Sequence, residues 1–201
     1  MDTARRRELR LELAARRRAL GPAERIAAAQ DLRRSLEQLP EYHTDERIAG
    51  YWAHDGELPL NLVIAPLIAR GQRFLLPMLT AERSLRFAPW QPGDPVAPNR
   101  HGIPEPVAPR EWFAPFQLDL VLVPLLAFDR RGRRLGTGGG YYDRSFAFLN
   151  EQPRPAEPLL VGVGYAFQEL PDIEAADWDV PLDYVATDRE LIDCHAAASR
   201  P

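Results

Sequence analysis

A chain of 201 residues with an apolar fraction of 45% can bury one ordinary globular core, and its net charge of −4 gives no overall reason to bind nucleic acid. All 25 basic residues are arginine, which excludes any chemistry built on lysine, such as a Walker-type phosphate contact, a Schiff base or a pyridoxal phosphate anchor. No apolar run reaches the ~18 residues of a membrane helix, the arginine-rich start is not a signal segment, and the single cysteine, Cys194, allows neither an internal disulfide nor a cysteine metal cluster, so the expected setting is the cytoplasm, away from membranes.

In chain order, residues 4–20 read as a helix, with Leu9, Leu13 and Leu20 near one stripe and Arg6 and Arg10 on a shared face. Seven arginines precede position 20 and read as a solvated basic face. Gly21-Pro22 breaks this helix, and Pro22 is placed to open a second one through about Leu36. Arg47 to Trp52 reads as a strand, residues 53–57 as a loop, Leu60 to Arg70 as an apolar helix stopped by Gly71, and Arg73 to Leu76 as a strand ending at Pro77. That order predicts a parallel crossover unit.

Leu85 to Phe87 fits a short strand, and proline and glycine make 89–109 a loop by composition. Leu118 to Val123 and Leu159 to Gly164 read as buried strands, Tyr141 to Leu149 as an amphipathic helix, and Asp183 to Ala186 as a short edge strand. Residues 191–201 carry no pattern. The expectation is a single α/β domain over 1–201, with its core at about 4–190 and a tail after it.

The segment Arg134-Leu135-Gly136-Thr137-Gly138-Gly139-Gly140-Tyr141-Tyr142-Asp143 is the most specific in the chain, with four glycines in five positions. Between an apolar strand and a helix start, such glycines let backbone N–H groups approach a phosphate. Arg134 offers a bidentate donor and Asp143 a hard carboxylate suited to magnesium. The bland alternative is a tight turn with Asp143 as a first-turn dipole residue. A dinucleotide fingerprint is not supported, because no early βαβ unit carries the glycines.

Elsewhere, Glu57 follows the first strand, where ligands of open α/β sheets gather; it binds a polar ligand there or serves as an N-terminal helix acid. Trp52 stacks on a ring or fills the core. Asp177 and Asp179 flank Trp178 near a turn, as a magnesium pair or a solvated turn. His43, His54, His101 and His195 have no metal-ligand spacing. Ser145 and Cys194 lack a nucleophile's context.

Val123-Pro124-Leu125-Leu126-Ala127-Phe128-Asp129 followed by the Arg134 to Asp143 block resembles the 5-formyltetrahydrofolate cyclo-ligase family, also called methenyltetrahydrofolate synthetases. Supporting matches are Arg6-Arg7-Glu8-Leu9-Arg10, Gly56-Glu57-Leu58, Gly102-Ile103-Pro104-Glu105-Pro106 and Trp178-Asp179-Val180-Pro181-Leu182-Asp183, in the family's order and covering roughly residues 4–190. The resemblance implies a three-layer α/β/α domain with a mostly parallel, mixed central sheet. It also implies an ATP- and magnesium-dependent closure of 5-formyltetrahydrofolate to 5,10-methenyltetrahydrofolate by a monomer whose partners are a reduced folate and ATP.

Carried over by position, Arg6, Arg10 and residues Arg134, Leu135, Gly136, Thr137, Gly138, Gly139, Gly140, Tyr141 and Tyr142 would bind ATP. Trp52 and Glu57, with Thr137 to Tyr141, would bind the folate. Asp143 and Asp179 would hold magnesium, and Arg134, Tyr142 and Asp143 would be catalytic. The family commonly has lysine where this chain has Arg6, and a ring-stacking aromatic where it has His101. The competing readings are a non-catalytic folate- or nucleotide-binding regulator on the same fold and a basic-helix nucleic-acid binder. The intact Arg134, Asp143 and Glu57 argue against the first, and the acidic net charge argues against the second.

Overall fold

The structure, a computed structural model, describes residues 3–198. Helices α1 (Thr3–Ala19) and α2 (Pro22–Leu36) form as expected, and a short α3 (Glu41–Thr44) precedes strand β1 (Arg47–Ala49). Then come α4 (Asn61–Ala69), β2 (Arg73–Leu79), β3 (Leu85–Pro89) and a small hairpin of β4 (Val96–Pro98) and β5 (Pro104–Pro106). Strand β6 (Leu120–Pro124) leads into a second hairpin, β7 (Ala127–Phe128) and β8 (Arg134–Leu135), followed by α5 (Tyr141–Phe146). Strands β9 (Leu159–Val163), β10 (Tyr184–Ala186) and β11 (Leu191–Asp193) and helix α6 (Cys194–Ala198) complete the chain.

One seven-stranded sheet, in the order β11-β10-β9-β6-β1-β2-β3, organises the molecule. Its inner pairs are parallel, and β2–β3 and β10–β11 are antiparallel at the two edges. The sheet is thus mostly parallel and mixed. Alternate residues of its central strands feed two cores. Leu120 and Leu122 of β6, with Val161 and Val163 of β9, pack beside Leu32 and Leu36 of α2 and Val63 and Leu67 of α4. Val121, Val123 and Leu160 point the other way, with Phe146 of α5 and Leu149. This period-two alternation is why both faces need a helical layer. Helix α1 belongs to neither layer: its Leu9 and Leu13 pack on Leu126, Ala127 and Leu135 of the second hairpin.

Several boundaries differ from expectation. Strand β1 stops at Ala49 because the chain turns away after its pairing with β2 and β6 ends. Strand β2 runs through Pro77, which faces Phe87 at a pair where the Phe87 N–H donates to Phe113 instead, so the missing N–H costs no ladder bond. The 89–109 segment is not all loop, since β4 and β5 pair within it. The strand at 184–186 is not an edge, because β11 covers it. Residues 191–198, expected as a tail without pattern, instead form β11 of the sheet and α6 after it, and Cys194 is buried there. Three residues per strand carry too little periodicity to be read locally.

Asp45, between α3 and β1, yields a stability prediction. Burial and then the neighbouring carboxylates of Asp119, Glu41 and Glu157 push it from the ordinary 3.8 up to about 6. The folded form holds a proton that the unfolded chain has released, so stability falls as pH rises from about 4 to about 6. Asp45→Asn should raise the Tm near pH 7, and most of the gain should be gone at about pH 3.5, where the carboxyl is largely protonated in both the folded and the unfolded chain. Thermal unfolding at the two pH values checks this; a gain of equal size at both would assign the effect to something other than charge.

Candidate active site

The strand order reverses between β1 and β6: the chain runs from β1 outward to β2 and returns to add β6 on the other side. A crevice at the carboxyl ends of two such strands is the natural ligand position of an open α/β sheet. Here it is a cavity of about 590 Å³, within the usual range for small-molecule sites. It is walled by the 51–57 segment after β1, by Pro124 and Leu125 at the end of β6, by the glycine segment, and by α1 lying across the opening.

The first wall is a tight turn. Asp55 (φ 49°) and Gly56 (φ 78°) bend the chain so that the Glu57 N–H donates to the His54 carbonyl, while the Glu57 carboxylate accepts from the His54 N–H, both at 3.0 Å. Gly56 has two reasons to be glycine: its positive φ, and a position where a Cβ would sit 3.0 Å from the Arg17 carbonyl of α1. Glu57 lines the cavity with only 14% of its side chain exposed. Burial pushes its carboxyl up from the ordinary value, opposed by the His54 N–H and the Arg17 charge. Trp52 is half-buried: it lines the cavity and meets Trp90 edge-on at 5.4 Å against the margin of the core.

The opposite wall is the glycine segment. It does not run straight from β6 into a helix as expected; the β7–β8 hairpin intervenes. Asp129 builds the hairpin turn by accepting N–H groups of Arg131 and Arg133, and its other oxygen accepts from Ile173. Gly132 (φ 79°) presses so closely on the Leu182 carbonyl that no Cβ fits, and its own carbonyl accepts the Leu182 N–H at 2.9 Å. This clasp brings the 178–183 segment against the glycine loop, across about forty residues of sequence. Helix α5 is short, so the cradle is made mainly by the loop. Among the described residues, no backbone N–H from Thr137 to Asp143 has a hydrogen-bond acceptor in the protein. A row of unpaired N–H groups on a cavity wall is an anion-binding surface.

Arginines complete that side. Arg10 Nε donates to the Gly136 carbonyl at 2.8 Å and Arg6 donates to the Glu174 carbonyl, so both are drawn from α1 to the cavity rim. Arg134 departs from expectation: it is not a free fork. Its side chain is 7% exposed and is held by the Val180 carbonyl and the Asp143 carboxylate. It serves as a fixed positive wall between Asp143 and Asp179, both of whose charges act on it. Among the described residues, Asp143 accepts hydrogen bonds only at Oδ1 and Asp179 only at Oδ2, which leaves one carboxylate oxygen of each without a hydrogen bond. No cluster of three metal-ligating side chains exists among the described residues. Two hard carboxylate oxygens beside a row of unpaired N–H groups nevertheless fit magnesium, which binds through one or two carboxylates and fills its other positions with phosphate or water oxygens.

Tyr142 stands between the two walls. Burial first, then the Glu57 charge, pushes its phenol well up, while Arg134 acts in the opposite sense. The hydroxyl therefore stays protonated near neutral pH, within the field of Glu57 on one wall and Arg134 on the other. Its ring stacks on Phe146.

A model of the 5-formyltetrahydrofolate cyclo-ligase family matches residues 2–188. The chain belongs to that family. It is 33% identical over 185 residues to the 5-formyltetrahydrofolate cyclo-ligase of Haemophilus influenzae, covering 90% of this chain and 97% of that protein. Against the cyclo-ligase of Escherichia coli strain K12 it is 33% identical, covering 86% and 94%. The solved 5,10-methenyltetrahydrofolate synthetase of Aquifex aeolicus superposes with a TM-score of 0.79 at 28% identity, covering 94% of this chain and 92% of that one. The synthetase of Mycoplasma pneumoniae gives 0.72 at 25% identity, covering 94% and 100%.

All the cyclo-ligase positions singled out from sequence, namely Arg6, Arg10, Trp52, Glu57, 134–143 and Asp179, line one cavity. Asp177 does not line it. The sequence reading missed Arg17, which is buried between α1 and the 55–57 turn and also lines the cavity. Its signal was present, since Leu9, Leu13 and Arg17 recur at every fourth position, so the buried stripe of α1 runs into a charge. His101 lies at the mouth with its Nε2 3.1 Å from the Tyr141 hydroxyl, which also accepts from Arg100. The β4–β5 hairpin thereby reaches the glycine segment from the far side. Among the described residues, no helix is long and apolar enough to cross a membrane.

Proposed function

We propose that the protein is a 5-formyltetrahydrofolate cyclo-ligase that uses ATP and magnesium to form 5,10-methenyltetrahydrofolate, ADP and phosphate. The observation that carries this is the two-sided cavity. A row of unpaired N–H groups flanked by arginines and a turn bearing the largely buried Glu57 carboxylate line one cavity, with Tyr142 in the field of both Glu57 and Arg134.

The glycine-segment N–H groups, Arg6 and Arg10 would receive the triphosphate. Trp52 and Glu57 would receive the pterin, whose ring N–H groups are donors that a carboxylate accepts. The formyl oxygen is a poor leaving group. Its attack on the γ-phosphorus, with cleavage to ADP, converts it to a phosphate ester. N10 of the folate then attacks the formyl carbon and loses its proton, and phosphate departs as the C–O bond breaks. The protein's task is alignment and charge stabilisation. Preorganised N–H groups and a fixed Arg134 supply the second without lysine. Tyr142, kept protonated, can donate to an oxygen at the junction of the two substrates. Asp143 and Asp179 would hold magnesium, which when bound neutralises charge on the β- and γ-phosphates.

Purified protein mixed with 5-formyltetrahydrofolate should form the methenyl product, followed by its absorbance, only when ATP and magnesium are both present. Product without ATP would reject the reaction. Binding of both ligands without product would favour a regulatory protein on the same fold.

A further inference from the structure

Arg17 is a cation taken out of water in the middle of α1: its side chain is 1% exposed. Burying a guanidinium is costly unless its donors and its charge are both answered. Its donors go to backbone, Nε to the Asp55 carbonyl at 2.9 Å and Nη1 to the Leu125 carbonyl at 3.5 Å. Its charge is answered by Asp55, 3.5 Å from Nη2, and by Glu57, 3.8 Å from Nη1. Asp55 also has Arg18, at 3.2 Å. Glu57 has no cation but Arg17 within ion-pair distance among the described residues.

The groups facing Glu57 come from several elements. Arg17 comes from α1, His54 and Asp55 from its own turn, Tyr51 from the segment after β1, and Tyr142 from α5. Tyr51 and Tyr142 are neutral, Asp55 repels, and burial opposes ionisation. The His54 N–H and then the Arg17 guanidinium favour the largely buried carboxylate, and Arg17 supplies the ion-pair charge within 4 Å. The same arginine closes the gap behind the turn, where the Arg17 carbonyl limits position 56 to glycine.

We infer that Arg17 is the positioning residue of the carboxylate wall. It clamps the Asp55–Glu57 turn onto α1 and supplies the counter-charge that keeps Glu57 in the cavity as a carboxylate. The link to the folate rests on the function proposed above; the link between Arg17 and Glu57 does not.

The test uses the full chain and the variants Arg17→Met, which keeps the apolar stem, and Arg17→Lys, which keeps the charge without the fork. The Glu57 carboxyl is titrated by 13C NMR in the ligand-free protein. In Arg17→Met its midpoint should rise by about one pH unit or more, the scale of losing one close opposite charge, and in Arg17→Lys it should stay near wild type. In turnover, Arg17→Met should raise the KM for 5-formyltetrahydrofolate about tenfold near neutral pH and move the acid limb of its pH profile upward. Affinity for a non-hydrolysable ATP analogue should not change. In the Glu57→Gln background, Arg17→Met should add little to the folate defect.

An unmoved Glu57 midpoint in Arg17→Met overturns the inference, and so does a defect that adds fully to Glu57→Gln. If Arg17→Met does not fold, Arg17→Lys decides: a raised folate KM with nucleotide affinity kept supports positioning, and equal loss of both ligands overturns it. A wild-type protein that makes no product, together with a shifted midpoint in Arg17→Met, refutes the proposed reaction and leaves the Arg17–Glu57 pairing standing.

Discussion

Asp143→Asn should lower turnover by roughly 10²-fold or more, the scale of losing one strong transition-state stabiliser. The Asp143 carboxylate splits its duties: Oδ1 accepts from Arg134 and the Val180 N–H, and Oδ2 accepts no hydrogen bond among the described residues. An asparagine can keep an acceptor for Arg134. It replaces the free oxygen with an N–H₂ group, which cannot bind a metal, and removes the charge that balances a buried guanidinium. The variant should therefore fold, with a lowered Tm, and be defective in chemistry more than in folate binding. Turnover measured across a magnesium titration checks this. Near-normal turnover at limiting magnesium would remove Asp143 from the site.

Arg134→Ala and Glu57→Gln should fail in opposite ways. Arg134 holds the Val180 carbonyl and Asp143 and lies in the field of Asp179, so its loss leaves two carboxylates without their shared cation. An anionic triphosphate then meets a negative wall, and the cost is on the order of a few kcal/mol because charged partners are left unpaired. ATP use should drop while folate binding by the ATP-free protein stays close to wild type. Glu57→Gln removes the charge from the other wall and should weaken folate binding with nucleotide affinity largely kept. Titration of each ligand against both variants settles it. Should both substitutions weaken the same ligand, the two walls do not divide the substrates as proposed, whatever the reaction.

The glycine segment could be read without a structure because its chemistry is local. Consecutive glycines, with an arginine before and an aspartate after, carry their backbone freedom and charge within ten residues. The long parallel strands were legible for a similar reason, since runs such as Leu118 to Val123 need no partner to be recognised as buried. The hairpin between β6 and the glycines was not legible: strands of two residues have no period, and Asp129 stabilises that turn through Ile173, 44 residues away.

The arginines of α1 show the same division. Counting them suggested a solvated face, and the i, i+4 rule put Arg6 and Arg10 together. Which of them face water depends on what α1 lies against. It lies across the carboxyl ends of the sheet strands, so Arg10 meets Gly136 across 126 residues of chain and Arg17 is sealed against the Asp55–Glu57 turn.

The alternation of helix and strand, the glycine-rich segment and the lack of lysine are legible along the chain, because periodicity and composition are properties of neighbouring positions. Long-range packing is what makes Arg134 a fixed wall instead of a free fork, puts it in the field of both Asp143 and Asp179, and buries Arg17 beside Glu57. Those facts depend on which distant segments pack together. Burial and charge pairing arise only once that packing has removed the water between them.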